Sequence, residues 1–399
     1  MKRLRFGSAG ESHGPAEVCI VEGLPAGLAV DPAAIDKDLA RRQRGYGRGA
    51  RMAIEADRVR ILAGVRLGRT LGTPVCLMVE NLDHQSWRPS MQPEPRPGWT
   101  PDAVTVPRPG HADFAGMAKF GHTDARDVLE RASARETVAR VAAGAVARAL
   151  LRAVDVEVHG FVRGIGDAQT TVGSAGISST EIDWEAVELS ECACPDPEVE
   201  AAMRRAVDEA RERGESLGGV FEIWAWGLCP GVGGYGSPQD RLDGRLMGAL
   251  GSIPAIKGVE LGLGFAAASL PGSEVHDALF PSQAQRGSIE RRSNRAGGME
   301  GGITNGLPLV IRAAMKPIPT LMAPLASVDL RDGSATSAHR ERSDVEAVAA
   351  ARVVGEAMVA LELADAYLEK FGGDSVEELV AAVRRYEETL RERGLWSRS

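Results

Sequence analysis

The chain has no apolar run of 18 residues, and its longest alanine-rich stretch is interrupted by arginines. A transmembrane helix is therefore not expected. Its first residues, M-K-R-L-R-F-G, pass directly into a polar motif without an apolar segment, so no secretory signal is expected either. Basic charge is not in excess. The 47 Lys and Arg stand against 55 Asp and Glu, a formal net charge of −8, which argues against a general nucleic-acid binder while allowing a local basic pocket. The five cysteines (Cys19, Cys76, Cys192, Cys194, Cys229) are odd in number and scattered. Cys192-x-Cys194 has no second pair at zinc-ligand spacing, so no metal site is expected and the chain reads as a protein of the reducing cytoplasm.

Aromatic residues are few, at 5%, whereas the 47 glycines are many. That balance implies many tight turns and close backbone approaches. The 44% hydrophobic and 26% charged content is that of a soluble globular protein, and 399 residues suffice for two subdomains or one large unit. Strands are expected at 3–9, 17–22, 59–67, 74–81, 156–162, 219–227, 255–265 and 307–315. Asp31 followed by Pro32 signals a helix start, and helices are also expected at 196–213 and 239–250. Ser133-x-x-Glu136 and Ser343-x-x-Glu346 spell capping boxes, opening helices to about Val154 and Phe371. Residues 83–109 form a proline-rich excursion with two tryptophans, 164–195 read as loops, and a charged helix and tail occupy 374–399. Interleaved helices and strands give an α/β or α+β class, with no clean linker to divide the chain.

The stretch Arg108–Thr137 looks like the centre of a site. In R-P-G-H-A-D (Arg108–Asp113), prolines flank the arginine and bias it toward extended geometry. Gly110 frees the backbone just before His111. A second histidine, His13, lies in G-E-S-H-G (Gly10–Gly14). Either could be a turn residue or a proton carrier; the other five histidines lack such a setting. Five arginines within Arg41–Arg51, among three glycines, need acidic partners or an anionic ligand, since guanidinium forks bind carboxylate and phosphate bidentately. The run Gly297–Gly306 is neither a Rossmann fingerprint nor a Walker loop. It either lets a phosphate or flat ring approach the backbone or forms a glycine-rich hairpin.

These motifs, together with R-A-S-A-R-E-T (Arg131–Thr137), A-I-K-G-V-E (Ala255–Glu260), M-K-P-I-P-T (Met315–Thr320) and R-S-D (Arg342–Asp344), resemble chorismate synthase in identity and order, from about residue 7 to 373. The resemblance implies an α+β fold of the β-α-β sandwich type, with central helices between two antiparallel sheets, in a single domain over 1–399. It implies a cytoplasmic homotetramer that converts 5-enolpyruvylshikimate 3-phosphate to chorismate, in the shikimate pathway of aromatic amino-acid biosynthesis. The reaction is a 1,4-anti elimination of phosphate that requires reduced FMN without net redox change. By this resemblance His13 protonates the departing phosphate, His111 donates a proton near the flavin, and Asp344 takes a proton from flavin N5. Ser12 and Ser133 support these transfers, although Ser133 could equally be a helix cap and Asp344 a helix-start residue. Arg42, Arg48, Arg108 and Arg135 would hold the substrate's anionic groups. FMN would contact Arg131, Ala132, Ser133, Pro254, Ala255, Gly301, Lys316, Pro317, Ile318, Pro319, Thr320 and Arg342. Reduced FMN could come from a separate flavin reductase or from NADPH oxidation by the chain itself. Two other readings compete: an NAD(P)H-dependent flavin reductase, and an RNA binder using Arg41–Arg51.

Overall fold

Alternating burial shapes the first sheet. Along Val75–Glu80, Val75, Leu77 and Val79 are buried while the residues between them turn outward, the period-2 pattern of a strand with one covered face. Its order is Arg5–Ala9, Ala16–Glu22, Val75–Glu80, Val59–Ala63, antiparallel throughout. The second sheet runs Ile256–Leu261, Leu309–Met315, Gly219–Trp226, Glu157–Ile165, Ala168–Gln169, again antiparallel. The computed structural model describes residues 3–49, 55–95, 97–173, 177–282, 289–341 and 343–396.

Two helices fill the space between the sheets. Thr137–Arg152 packs on the first sheet and Val348–Phe371 on the second, and the two helices pack on each other. Small residues set their spacing: a Cβ added at Gly144 would lie 2.3 Å from the Ala357 Cβ. The architecture is thus the α+β sandwich that the sequence resemblance implies. Val348–Phe371 is buried all round up to Leu368, charged residues included. Glu356 accepts from Arg41 (2.7 Å), Arg148 (3.3 Å) and Arg352 (3.3 Å), and from the Gly160 N–H (2.9 Å). Burial opposes its ionisation, but the three guanidiniums outweigh burial and hold Glu356 well below the usual carboxylate range. Arg41 therefore serves the core rather than a ligand.

Asp31 caps Pro32–Gln43 by accepting from the Ala33 N–H, as its spacing suggests. Both expected capping boxes are corrected. Ser133 accepts from the Arg135 N–H, heading a 3-10 turn, and the Glu136 side chain pairs with Arg140 instead of reaching back to Ser133. Helix Val348–Phe371 starts five residues after Ser343, with Glu346 turned inward to accept from the Val348 N–H. Capping boxes form instead at Ser178–Glu181 and Ser375–Glu378. The second opens the charged helix Val376–Glu392. The 164–195 region is not all loop: it holds helix Trp184–Leu189, whose Trp184 packs near Trp224 and Trp226 on the outside of the second sheet.

Candidate active site

One end of the sandwich carries a cavity of about 530 Å³, within the usual range for small-molecule sites. Segments far apart in sequence converge on it: the Gly10–Gly14 turn, the end of helix Pro32–Gln43, the R-P-G-H-A-D turn, helix Arg126–Ala132 with the 3-10 turn after it, residues 253–257, residues 315–320, and the start of helix Val348–Phe371. Ser12, His13, Arg42, Arg48, Arg108, His111, Ala132, Ser133, Arg135, Pro254, Ala255, Lys316, Ile318, Pro319, Thr320 and Asp344 all line it. Three expected residues do not. Arg131 lies outside, donating to the Ser8 and Gly10 carbonyls and to Ser8 Oγ. Pro317 is exposed. Gly301 sits at φ +62° on the turn of a hairpin, Met299–Glu300 with Ile303–Thr304, so the glycine run is a hairpin rather than a wall of this cavity. Arg342 and Arg51 lie outside the described residues.

Each site histidine is held by a buried carboxylate. The His13 Nδ1 lies 2.8 and 3.1 Å from the two Glu130 oxygens, and its backbone N–H donates to Glu130 at 2.8 Å. Trp87 covers the ring at 4.1 Å, and His84 donates from Nδ1 to the His13 carbonyl at 2.8 Å. Glu130 also pairs with Arg126 at 3.2 Å. Burial opposes its charge, yet the His13 ring and Arg126 prevail and hold it below the ordinary carboxylate range. The His111 Nδ1 lies 2.5 Å from Asp113 and 3.0 Å from Arg108 Nη2. The shorter contact assigns its proton toward the carboxylate. Asp113 further accepts from the Arg108 backbone N–H (3.1 Å) and Nε (2.9 Å). Although burial opposes it, these partners hold Asp113 well below its usual range. Gly110 adopts φ +80° so that its carbonyl meets the Lys316 ammonium.

The cations are crowded. Arg42 and Arg135 share Asp57 at 3.0 and 2.6 Å. Burial lowers the Arg42 pKa to about 10; Asp57 opposes that, while Arg135 and Arg48 add to it. Arg42 Nε has no hydrogen-bond partner among the described residues. Arg48 pairs with Asp344 at 2.6 Å, and the Gly49 N–H donates to the same carboxylate at 2.5 Å. Lys316 is lowered by burial and then by like-charged Lys257, which also lines the cavity. Such a cluster favours a ligand with several negative charges.

Sequence reasoning missed Glu130, Asp57, Trp87, His84, Lys257 and Glu341. Asp113 lay inside a quoted motif but was given no role. Asp113, two residues after His111, and Lys257, inside A-I-K-G-V-E, carried local signals.

Fold and site define an α+β protein that gathers clustered guanidiniums and two carboxylate-held imidazoles around one cavity. A family model described as chorismate synthase matches residues 4–368. The chorismate synthase of Desulforudis audaxviator is 56% identical over 388 residues, covering 97% of this chain and 98% of that protein. That of Trichlorobacter lovleyi is 53% identical over 384 residues, covering 94% and 96%. A solved structure described as the crystal structure of chorismate synthase matches with a TM-score of 0.79 and 40% identity, over 98% and 99% of the two chains. The chain belongs to the chorismate synthase family, carbon–oxygen lyases acting on phosphates in aromatic amino-acid biosynthesis.

Proposed function

We propose that the cavity binds 5-enolpyruvylshikimate 3-phosphate with reduced FMN and eliminates phosphate to give chorismate. The observation that carries this reading is the convergence of Arg42, Arg48, Arg108 and Arg135 with His13 and His111 on one cavity. The substrate bears two carboxylates and a phosphate. Each guanidinium has five donors, so an arginine already paired with Asp57, Asp113 or Asp344 keeps N–H groups for a ligand. His13 protonates the leaving phosphate, a general-acid role suited to an imidazole. His111 keeps a proton available beside the cofactor, Asp344 is the carboxylate that accepts one, and the Ser12 and Ser133 hydroxyls steady these groups.

The lining fits a flavin. Leu129, Ala132, Ile253, Met315, Ala350 and Val354 offer an apolar wall, and the mutually repelling Lys257 and Lys316 suit a phosphate. Ala132, Ser133, Pro254, Ala255, Lys316, Ile318, Pro319 and Thr320 would hold it. Reduced FMN would lend electron density to the breaking C–O bond and regain it, with no net oxidation.

The rival readings lose support. Arg41 and Arg42 are buried on carboxylates, which dismantles the basic strip an RNA binder needs, and the family assignment favours the lyase over a flavin reductase. We further infer a single domain over 1–399, supported by a core cluster joining both sheets and both central helices. A cytoplasmic homotetramer, with reduced FMN supplied by a separate flavin reductase or by the chain's own NADPH oxidation, completes the reading. No described helix is long and apolar enough to cross a membrane.

The test is phosphate release from the enolpyruvyl substrate under exclusion of oxygen. Release should require pre-reduced FMN and leave it reduced. Release without flavin, or none with it, would overturn the reading. Sedimentation at micromolar concentration checks the tetramer.

A further inference from the structure

We propose that Glu130 is a positioning residue for the elimination, holding the His13 ring by Nδ1 so that Nε2 is the atom that carries the proton into the cavity. This rests on the reading of His13 as the proton donor to phosphate.

The geometry is specific. Glu130 accepts twice from the same residue, from the backbone N–H at 2.8 Å and from the ring Nδ1 at 2.8 Å. Main chain and side chain of His13 are thereby fixed by one carboxylate. The Glu130 side chain is 3% exposed, and burial together with Arg126 keeps its charge from being dissipated in water. Trp87 closes the ring face at 4.1 Å, and the Arg126 guanidinium lies 4.8 Å from the Trp87 ring centroid. Imidazole, indole and guanidinium therefore brace one another. Arg126 also reaches Glu341 at 3.2 Å, which leaves the guanidinium a second carboxylate if Glu130 is altered.

The chemistry follows from the tautomer. A histidine that delivers a proton from Nε2 becomes the neutral Nδ1–H form. The same Nδ1–H···Glu130 hydrogen bond serves the imidazolium before transfer and the imidazole after it, so neither ring rotation nor a new partner is required. Without the carboxylate, the neutral ring can hold its proton on either nitrogen, and transfer from phosphate-facing Nε2 loses its preorganisation.

The experiment uses the FMN-loaded enzyme in anaerobic phosphate-release assays, with Glu130→Gln, Glu130→Asp, His13→Ala and the His13→Ala/Glu130→Gln pair. Glu130→Gln should lower kcat by about 10- to 1,000-fold, bounded by what a general acid contributes, with KM within about threefold. Glu130→Asp, which keeps the charge, should recover part of the loss. In the His13→Ala background Glu130→Gln should cost nothing further, the signature of a residue acting through another. Long-range 1H–15N spectra of histidine-labelled protein should show Nδ1–H at His13 in the parent and a tautomer mixture in Glu130→Gln. Parental kcat in Glu130→Gln beside a crippled His13→Ala, or losses that multiply in the pair, would overturn the proposal alone. Parental turnover in His13→Ala would remove the proton donor and the proposal with it.

Discussion

The two histidines of the cavity are held alike and supported differently. His111 takes its carboxylate from Asp113, two residues on, and Asp113 divides its charge with Arg108, itself a cavity residue. His13 takes its carboxylate from Glu130, 117 residues on, and Glu130 shares with Arg126, which does not line the cavity and leans toward Glu341. Support at His111 is therefore tied to the ligand-binding surface directly through Arg108, whereas support at His13 reaches it only at one remove, through Arg126 and Glu341. Removing the first should disturb binding and proton transfer together; removing the second should disturb proton transfer alone.

The largest effect expected from this difference is at Asp113. Asp113→Asn breaks the contacts that set both Arg108 and His111, so kcat should fall and KM should rise more than about tenfold. Together these give a loss in kcat/KM on the order of a thousandfold. Steady-state kinetics beside Glu130→Gln checks the contrast. Equal KM values in the two variants would erase the distinction between a support bonded to a cavity arginine and one set a residue further back.

A smaller loss isolates the proposed proton carriers from their supports. His111→Ala and Asp344→Asn should each lose about a hundredfold in turnover, the scale of general acid–base contributions, while binding FMN and substrate. Neither change opens a core cavity, so melting temperatures should stay within a few degrees of the parent. Asp344→Asn can still accept from the Gly49 N–H, so its KM should move less than about threefold despite the lost pairing with Arg48. A clear drop in melting temperature with near-parental turnover would make both residues structural.

The same contrast explains what could be read from the sequence. The His111 station lies within six residues, Arg108–Asp113, and its turn chemistry showed in Pro109 and Gly110. The Asp31-Pro32 helix start was legible for the same reason, since its cap is local. The His13 station was half legible. G-E-S-H-G marked the histidine, but nothing in the spacing joins it to Glu130 or Trp87, because a tertiary contact leaves no period. The failed capping boxes teach the converse. Ser133-x-x-Glu136 fits the local rule, yet Arg140 one turn on binds Glu136. Gly301 was assigned by motif, and the hairpin that places it away from this cavity is set by pairing of Met299 with Thr304. The sandwich came from resemblance, since interleaved helices and strands alone left α/β and α+β both open.

Stability holds a third contrast, and the smallest effect. Glu130 and Asp113 are buried carboxylates with cationic partners and are held below their usual range. Glu346, two residues after Asp344 and 0% exposed, has an oxygen with no hydrogen-bond partner among the described residues. Burial pushes its pKa up from 4.5 to about 7, with Asp344 adding to the rise and the Val348 N–H and Arg48 opposing it. The sign follows from proton counts. Between pH 4.5 and about 7 the folded chain holds a proton that the unfolded chain releases, so stability falls as pH rises through this window. Above it the full penalty of a buried charge remains, on the order of 3 kcal/mol. Glu346→Gln stays neutral and keeps an oxygen to accept from Val348, so it should melt a few degrees higher than the parent at pH 8. The difference should shrink toward zero at pH 5. Thermal melts across that range check it. A variant that melts lower at pH 8 would mean that the Glu346 charge is wanted there, as a counterion to Arg48, and would place Glu346 with Glu130 and Asp113 among the carboxylates that serve the site.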